Sequence, residues 1–198
     1  MVLNFWDEKF SGEDYLYGRN PNDFFKSVID TVSPGKILVP AAGEGRDAVY
    51  AAQSGWEVFA QDGSEKGKMK ALRLAAEKNV TVQYEVCEIE KFHIDDIAYD
   101  AIVLTYFHLS PELRSAFHSS LYFKLRPGGI IILEAFNKKQ LKNTSGGPRD
   151  PEMLMSRQML MDDFKAFADL EIHETEIILN EGSLHRGKAD VVRMIARK

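Results

Sequence analysis

Four short apolar runs constrain this chain more than any other feature of it. Ile37-Leu38-Val39, Val58-Phe59-Ala60, Ala101-Ile102-Val103-Leu104 and Ile130-Ile131-Ile132-Leu133 show no alternation of apolar and polar residues. A strand with water on one face alternates with a period of two, so unbroken runs of this length suit strands covered on both faces. Such strands belong to parallel sheets flanked by helices. The intervening segments have helical spacing. From Ser64 onward Met69, Leu72, Ala75 and Ala76 recur on one face. A second helix opens at Ser110-Pro111-Glu112, with an N-cap, a proline at the first helical position and an acid at the positive helix start. Its stripe is Leu113, Phe117, Leu121 and Leu125, and Arg126-Pro127-Gly128-Gly129 ends it. Strand and helix alternate, which predicts βαβ units with right-handed crossovers.

The C-terminal part breaks this alternation. Leu170 to Leu179 and Ala189 to Ala196 are strand candidates with no helix between them, joined by a glycine-containing loop from Asn180 to Lys188. They predict an antiparallel hairpin at the sheet edge. The expected architecture is therefore α/β: a Rossmann-like, doubly wound, mostly parallel sheet ending in an antiparallel hairpin. At 198 residues the chain suits a single domain, with residues 1–32 as an N-terminal lid and 33–198 as the core. The stretch Asn137 to Pro151 reads as a long loop at the carboxyl end of a strand, the edge where ligands bind in such sheets.

The bulk composition narrows the partners. The formal net charge is −5, from 25 basic and 30 acidic residues, which argues against a nucleic-acid ligand. No apolar run approaches the roughly 20 residues that cross a bilayer, and no basic segment followed by an apolar one opens the chain, so a cytoplasmic protein is expected. The single cysteine, Cys87, is read as a small side chain buried at the end of a strand.

After the first strand comes Pro40-Ala41-Ala42-Gly43-Glu44-Gly45-Arg46-Asp47-Ala48. Gly43 and Gly45 permit a tight turn, and the helix starting near Arg46 offers free N–H groups to the same place. Asp62, 19 positions after Gly43, ends the second strand; its carboxylate suits two ribose hydroxyls, and its simpler role is to cap the helix after Gly63-Ser64. Glu88 and Ile89, after the third strand, can bond an adenine amino group and pack on its ring, or Glu88 can be a solvated loop residue. The same glycine loop fits a dinucleotide fingerprint, so an NAD(P) oxidoreductase is the competing class, and a non-catalytic nucleotide sensor a third.

At these residues the chain resembles the class I S-adenosylmethionine-dependent methyltransferases along nearly its whole length. Phe5-Trp6-Asp7, Tyr17-Gly18-Arg19-Asn20-Pro21-Asn22 and Leu125-Arg126-Pro127-Gly128-Gly129 look like the small bacterial branch related to tellurite-resistance and thiopurine methyltransferases. The resemblance implies seven strands ordered 3-2-1-4-5-7-6, the seventh antiparallel. It implies that Ala41, Gly43, Gly45, Arg46, Asp62, Gly63, Ser64, Glu88 and Ile89 hold S-adenosylmethionine, with Thr105 and Phe107 flanking its methionine part. Two positions depart from the pattern: Val39 replaces the acid of strand one, and Ala41 replaces the first glycine.

Methyl transfer to a soft nucleophile needs mainly positioning, so no motif marks a catalytic residue. His108, after strand four, is the first candidate for a general base, its simpler reading being a hydrogen-bonded turn residue. Glu134 in strand five is considered with it, followed by Arg149, Glu181, His185 and Arg186. For His185 and Arg186 a solvated hairpin loop is the simpler reading, and the methionines from Met153 to Met161 read as ordinary packing. The expected acceptor is a small molecule, a thiol or a metalloid oxyanion. No metal site is expected.

Overall fold

The computed structural model describes residues 2–198, and the side chains of residues 5–198. Seven strands form one sheet in the order β3-β2-β1-β4-β5-β7-β6. They are β1 (Lys36–Pro40), β2 (Glu57–Asp62), β3 (Gln83–Val86), β4 (Tyr99–Thr105), β5 (Leu125–Phe136), β6 (Asp169–Glu181) and β7 (His185–Arg197). β1 with β2, β2 with β3, and β4 with β5 pair in parallel, and β5 with β7 antiparallel. The strand order and the reversed last strand are those expected. Among the described residues six α-helices accompany them: α1 (Val2–Lys9), α2 (Asp23–Ile29), α3 (Arg46–Gln53), α4 (Glu65–Glu77), α5 (Pro111–Lys124) and α6 (Arg157–Asp163).

The chain's internal contacts form two compact units. One runs to Ile94 and includes Glu181–Leu184; the other comprises Asp95–Asn180 and His185–Lys198. In the first unit Ile37, Leu38, Val49 and Leu74 are buried. The face that α4 buries is not the expected one. Met69 and Leu72 are 63% and 40% exposed, while Gly67, Lys70, Ala71, Leu74 and Ala75 face inward. The reason is a polar anchor: Lys70 Nζ reaches Glu44 Oε1 at 2.8 Å and the Asp14 carbonyl at 2.6 Å, turning that stripe of the helix toward the core.

In the second unit β4 and β5 are buried almost throughout, as their unbroken apolar runs require. α5 stops at Lys124, directly before Leu125–Gly129, and those residues form a bulge within β5, since Leu125 pairs with Tyr99 and Ile130 with Ala101. On α5 the exposed Leu113 falls outside the buried stripe and His118 takes its place, with Nδ1 2.9 Å from Asp163 Oδ2. The hairpin tip is shorter than expected, because β7 begins at His185. The long loop after β5 is fastened down. Asn143 Nδ2 donates to Asp190, Ser145 Oγ to the Lys188 carbonyl, and Gln140 and Ser145 are buried.

Candidate functional site

The glycine loop sits between β1 and α3, in the first unit. Three of its residues have left-handed backbone: Ala41 (φ 51°), Gly43 (53°) and Gly45 (85°). Gly45 is required by packing, since a Cβ there would stand 2.4 Å from the Cβ of Ala71. Asp62 pins the loop to the end of β2. Its Oδ2 accepts the Gly43 N–H and its Oδ1 the Ser64 N–H, both at 2.9 Å. Helix capping falls instead to Ser64, whose Oγ accepts the Gly67 N–H at 2.9 Å. Burial pushes the pKa of Asp62 up, against the pull of its backbone donors. Each carboxylate oxygen has two lone pairs, so this buried acceptor can take further hydroxyl donors.

The charged side chains of the loop hold a strap formed by residues 14–22. Glu44 is buried, binding Lys70 and accepting the Tyr17 N–H at 3.3 Å. Asp47 accepts the Asn22 N–H at 2.7 Å. Arg46, expected to hold cofactor, donates to the Tyr17 carbonyl at 2.9 Å and to Glu181 at 3.0 Å, with its own side chain 9% exposed. These bonds give Arg46 a structural part. Nothing in sequence spacing paired it with Glu181, which is 135 positions away.

Helix α1 lies across both loops. Asp7 Oδ1 accepts from Ser64 Oγ at 2.6 Å and from the Lys66 N–H at 3.0 Å. Just after the helix, the buried Phe10 packs so that a Cβ on Gly43 would meet its ring at 3.5 Å. After β3, Glu88 pairs with Lys91 at 2.6 Å, which holds its carboxyl below the usual range, and the half-buried Ile89 starts a 3-10 turn. Cys87 is half-buried rather than enclosed, and burial pushes its thiol up to about 11, far from a nucleophilic thiolate.

The second unit carries the other expected residues. His108 does not have the bonding of a general base. Its Nδ1 meets the Met153 carbonyl at 2.8 Å and its Nε2 accepts the Phe136 N–H at 3.3 Å, so neither nitrogen is left to take a proton. Burial lowers its pKa to about 4. His185 is not solvated: it is 5% exposed, edge-on to Tyr106 at 4.6 Å and to Phe136 at 5.3 Å. Tyr106, which sequence reasoning missed, has left-handed backbone (φ 51°), stacks on Phe136 at 4.6 Å and donates its hydroxyl to Glu134 at 2.6 Å. Glu134, 2% exposed, is also bonded by Arg193. Thr105 ends β4, and the buried Phe107 lies edge-on to Phe117.

The first unit therefore offers a glycine turn, a buried carboxylate with lone pairs to spare and a second carboxylate after β3. That donor set fits a nucleoside with free ribose hydroxyls. Among the described residues no cluster of His, Cys, Asp and Glu is arranged to hold a metal ion.

Residues 37–129 match the profile of the family described as "Methyltransferase domain". A protein of known structure from echinomycin biosynthesis, reported as converting a disulfide bond into a thioacetal group, aligns over 100% of this chain and 91% of its own, with a TM-score of 0.75 and 16% identity. TehB from Haemophilus influenzae aligns over 98% of this chain and 66% of its own (TM-score 0.70, 18% identity). An S-adenosylmethionine-dependent methyltransferase from Archaeoglobus fulgidus aligns over the full length of both chains (TM-score 0.64, 16% identity). No curated protein matches in sequence. The fold is that of the class I methyltransferases.

Proposed function

We infer that this S-adenosylmethionine-dependent methyltransferase delivers its methyl group to a small acceptor with a soft nucleophilic atom, a thiol or a metalloid oxyanion. The observation that carries the small-acceptor reading is the placement of α1. Asp7 and Phe10 fasten it across the glycine loop and the start of α4, so the loop lies under an aromatic cover. A covered, water-poor site favours a small ligand over a polymer. The likeness to TehB and the Tyr17–Asn22 motif support placing the chain in the tellurite-resistance branch.

When bound, the cofactor supplies a methyl group on a sulfonium, which needs only an aligned lone pair in a dry site. The residues of this chain bind and orient. Asp62 offers acceptor oxygens to the ribose hydroxyls while holding the Gly43 N–H. Glu88 would take the adenine amino group and Ile89 would pack on its ring. Ala41 and Gly63 would contribute main-chain groups, Ser64 anchors Asp62 and caps α4, and Arg46 acts on the loop through the strap. In the second unit, His185 braces Tyr106 and Phe136.

The test combines two measurements. S-adenosylmethionine or S-adenosylhomocysteine should raise the melting temperature, by a stabilisation of about 2.7 kcal/mol at a ligand concentration 100 times Kd, while NAD and NADP should not. With methyl-labelled cofactor, label should enter small thiols or metalloid oxyanions. Label entering RNA or DNA alone would overturn the acceptor reading and leave the methyltransferase intact.

A further inference from the structure

Lys9, the last residue of α1, is an unusual cation. Its Nζ lies 4.7 Å from the centroid of the Trp6 ring, 5.5 Å from that of Phe5 and 5.7 Å from that of Tyr17. Among the described residues it has no carboxylate within ion-pair distance, whereas Lys26, Lys70, Lys91 and Lys188 each have one. Burial lowers its pKa, which marks an ammonium that has lost part of its water. Aromatic faces compensate a desolvated cation only in part, and an ammonium brings three donors that rings satisfy poorly. An anion would complete the site.

The position of this cage says which anion. Phe10 stacks on Trp6 at 5.4 Å and packs over Gly43. Asp7 bonds Ser64 and Lys66, beside Asp62. Tyr17 donates its N–H to Glu44 in the glycine loop. The caged ammonium is thus built onto the two loops assigned to the cofactor. The buried cations of this unit are committed, Arg46 to Glu181 and Lys70 to Glu44, whereas Lys9 is half-buried. The amino-acid end of the cofactor carries a carboxylate that needs a cationic donor.

We propose that Lys9 receives the carboxylate of the methionine end of S-adenosylmethionine, its ammonium held in place by Phe5, Trp6 and Tyr17. The inference rests on the cofactor reading above. Calorimetry tests it with two ligands, S-adenosylhomocysteine and 5′-methylthioadenosine, which keeps the nucleoside thioether and lacks the amino-acid end. Lys9→Met should weaken S-adenosylhomocysteine about tenfold or more, as expected for a lost charge-assisted bond, and leave methylthioadenosine within about twofold of wild type. Lys9→Arg should restore most of the loss. Equal weakening of both ligands, or of neither, overturns the role of Lys9 while the cofactor reading stands. Wild-type protein that binds neither ligand overturns both.

Discussion

At the scale of single residues, the half-buried His108 and the buried His118 make acid the weak side of this fold. His108 has a pKa of about 4 in the fold, against 6.5 for an ordinary histidine, and burial lowers His118 as well. Between the folded and unfolded values the unfolded chain holds more protons, so stability rises with pH there and is lost as pH falls from 6.5 toward 4. Each such histidine contributes up to about 1.4 kcal/mol per pH unit. Urea midpoints should drop steeply across that interval, and His108→Gln should flatten the drop; a flat wild-type profile would mean that His108 is solvated. Asp62 gives the second prediction at this scale. Asp62→Ala should cost about tenfold or more in S-adenosylhomocysteine affinity, on the order of 1.5–3 kcal/mol per charge-assisted bond. The same variant frees the Gly43 and Ser64 N–H groups, so its melting temperature should fall too. Calorimetry showing wild-type affinity would leave Asp62 with the loop-pinning part alone.

At the scale of elements, Gly45 governs how α3 meets α4. Gly45→Ala forces a Cβ to 2.4 Å from the Cβ of Ala71 in a left-handed conformation. Overpacking costs about 1–3 kcal/mol and the backbone roughly 1–2 kcal/mol more. Gly12→Ala, where nothing lies within 4 Å, should be silent by the same denaturation assay. If the two variants melted alike, the tight α3–α4 approach would be disproved. What was legible in the sequence follows from locality. Unbroken apolar runs gave β1, β2, β4 and β5 because a strand's burial is written in its own residues. The faces of α4 and α5 were misread because polar partners far along the chain set them: Glu44 for Lys70, Asp163 for His118. The glycine loop and Asp62 could be read from spacing. The left-handed backbone of Tyr106 depends on tertiary contacts that no local pattern encodes. The cage around Lys9 is partly local, since Phe5 and Trp6 precede it at helical spacing on α1 and only Tyr17 comes from outside the helix.

At the scale of the whole molecule, the Arg46–Glu181 pair ties residues distant in sequence inside the first unit. Their side chains are 9% and 14% exposed, so neither charge is well hydrated if its partner is lost. Removing one member of such a pair costs about 3–5 kcal/mol, whereas replacing both with apolar side chains can be near neutral. Arg46→Met and Glu181→Met should each lower stability by about that much, and the double variant should recover part of it in a chemical-denaturation cycle. Strictly additive losses would show that the pair does not interact.

The hairpin tip has a consequence for how the protein is made. Glu181–Leu184 belong to the first unit, where Leu184 donates its N–H to the Leu16 carbonyl at 3.2 Å and a Cβ on Gly182 would stand 2.3 Å from the same oxygen. Synthesis runs from the N-terminus, and units that are continuous in sequence can close as they emerge from the ribosome. This one cannot. Its strap and glycine loop must wait, with Arg46 lacking its acid, until Glu181–Leu184 are translated. A transcript truncated just before Glu181 would therefore yield a nascent chain whose earliest half never completes.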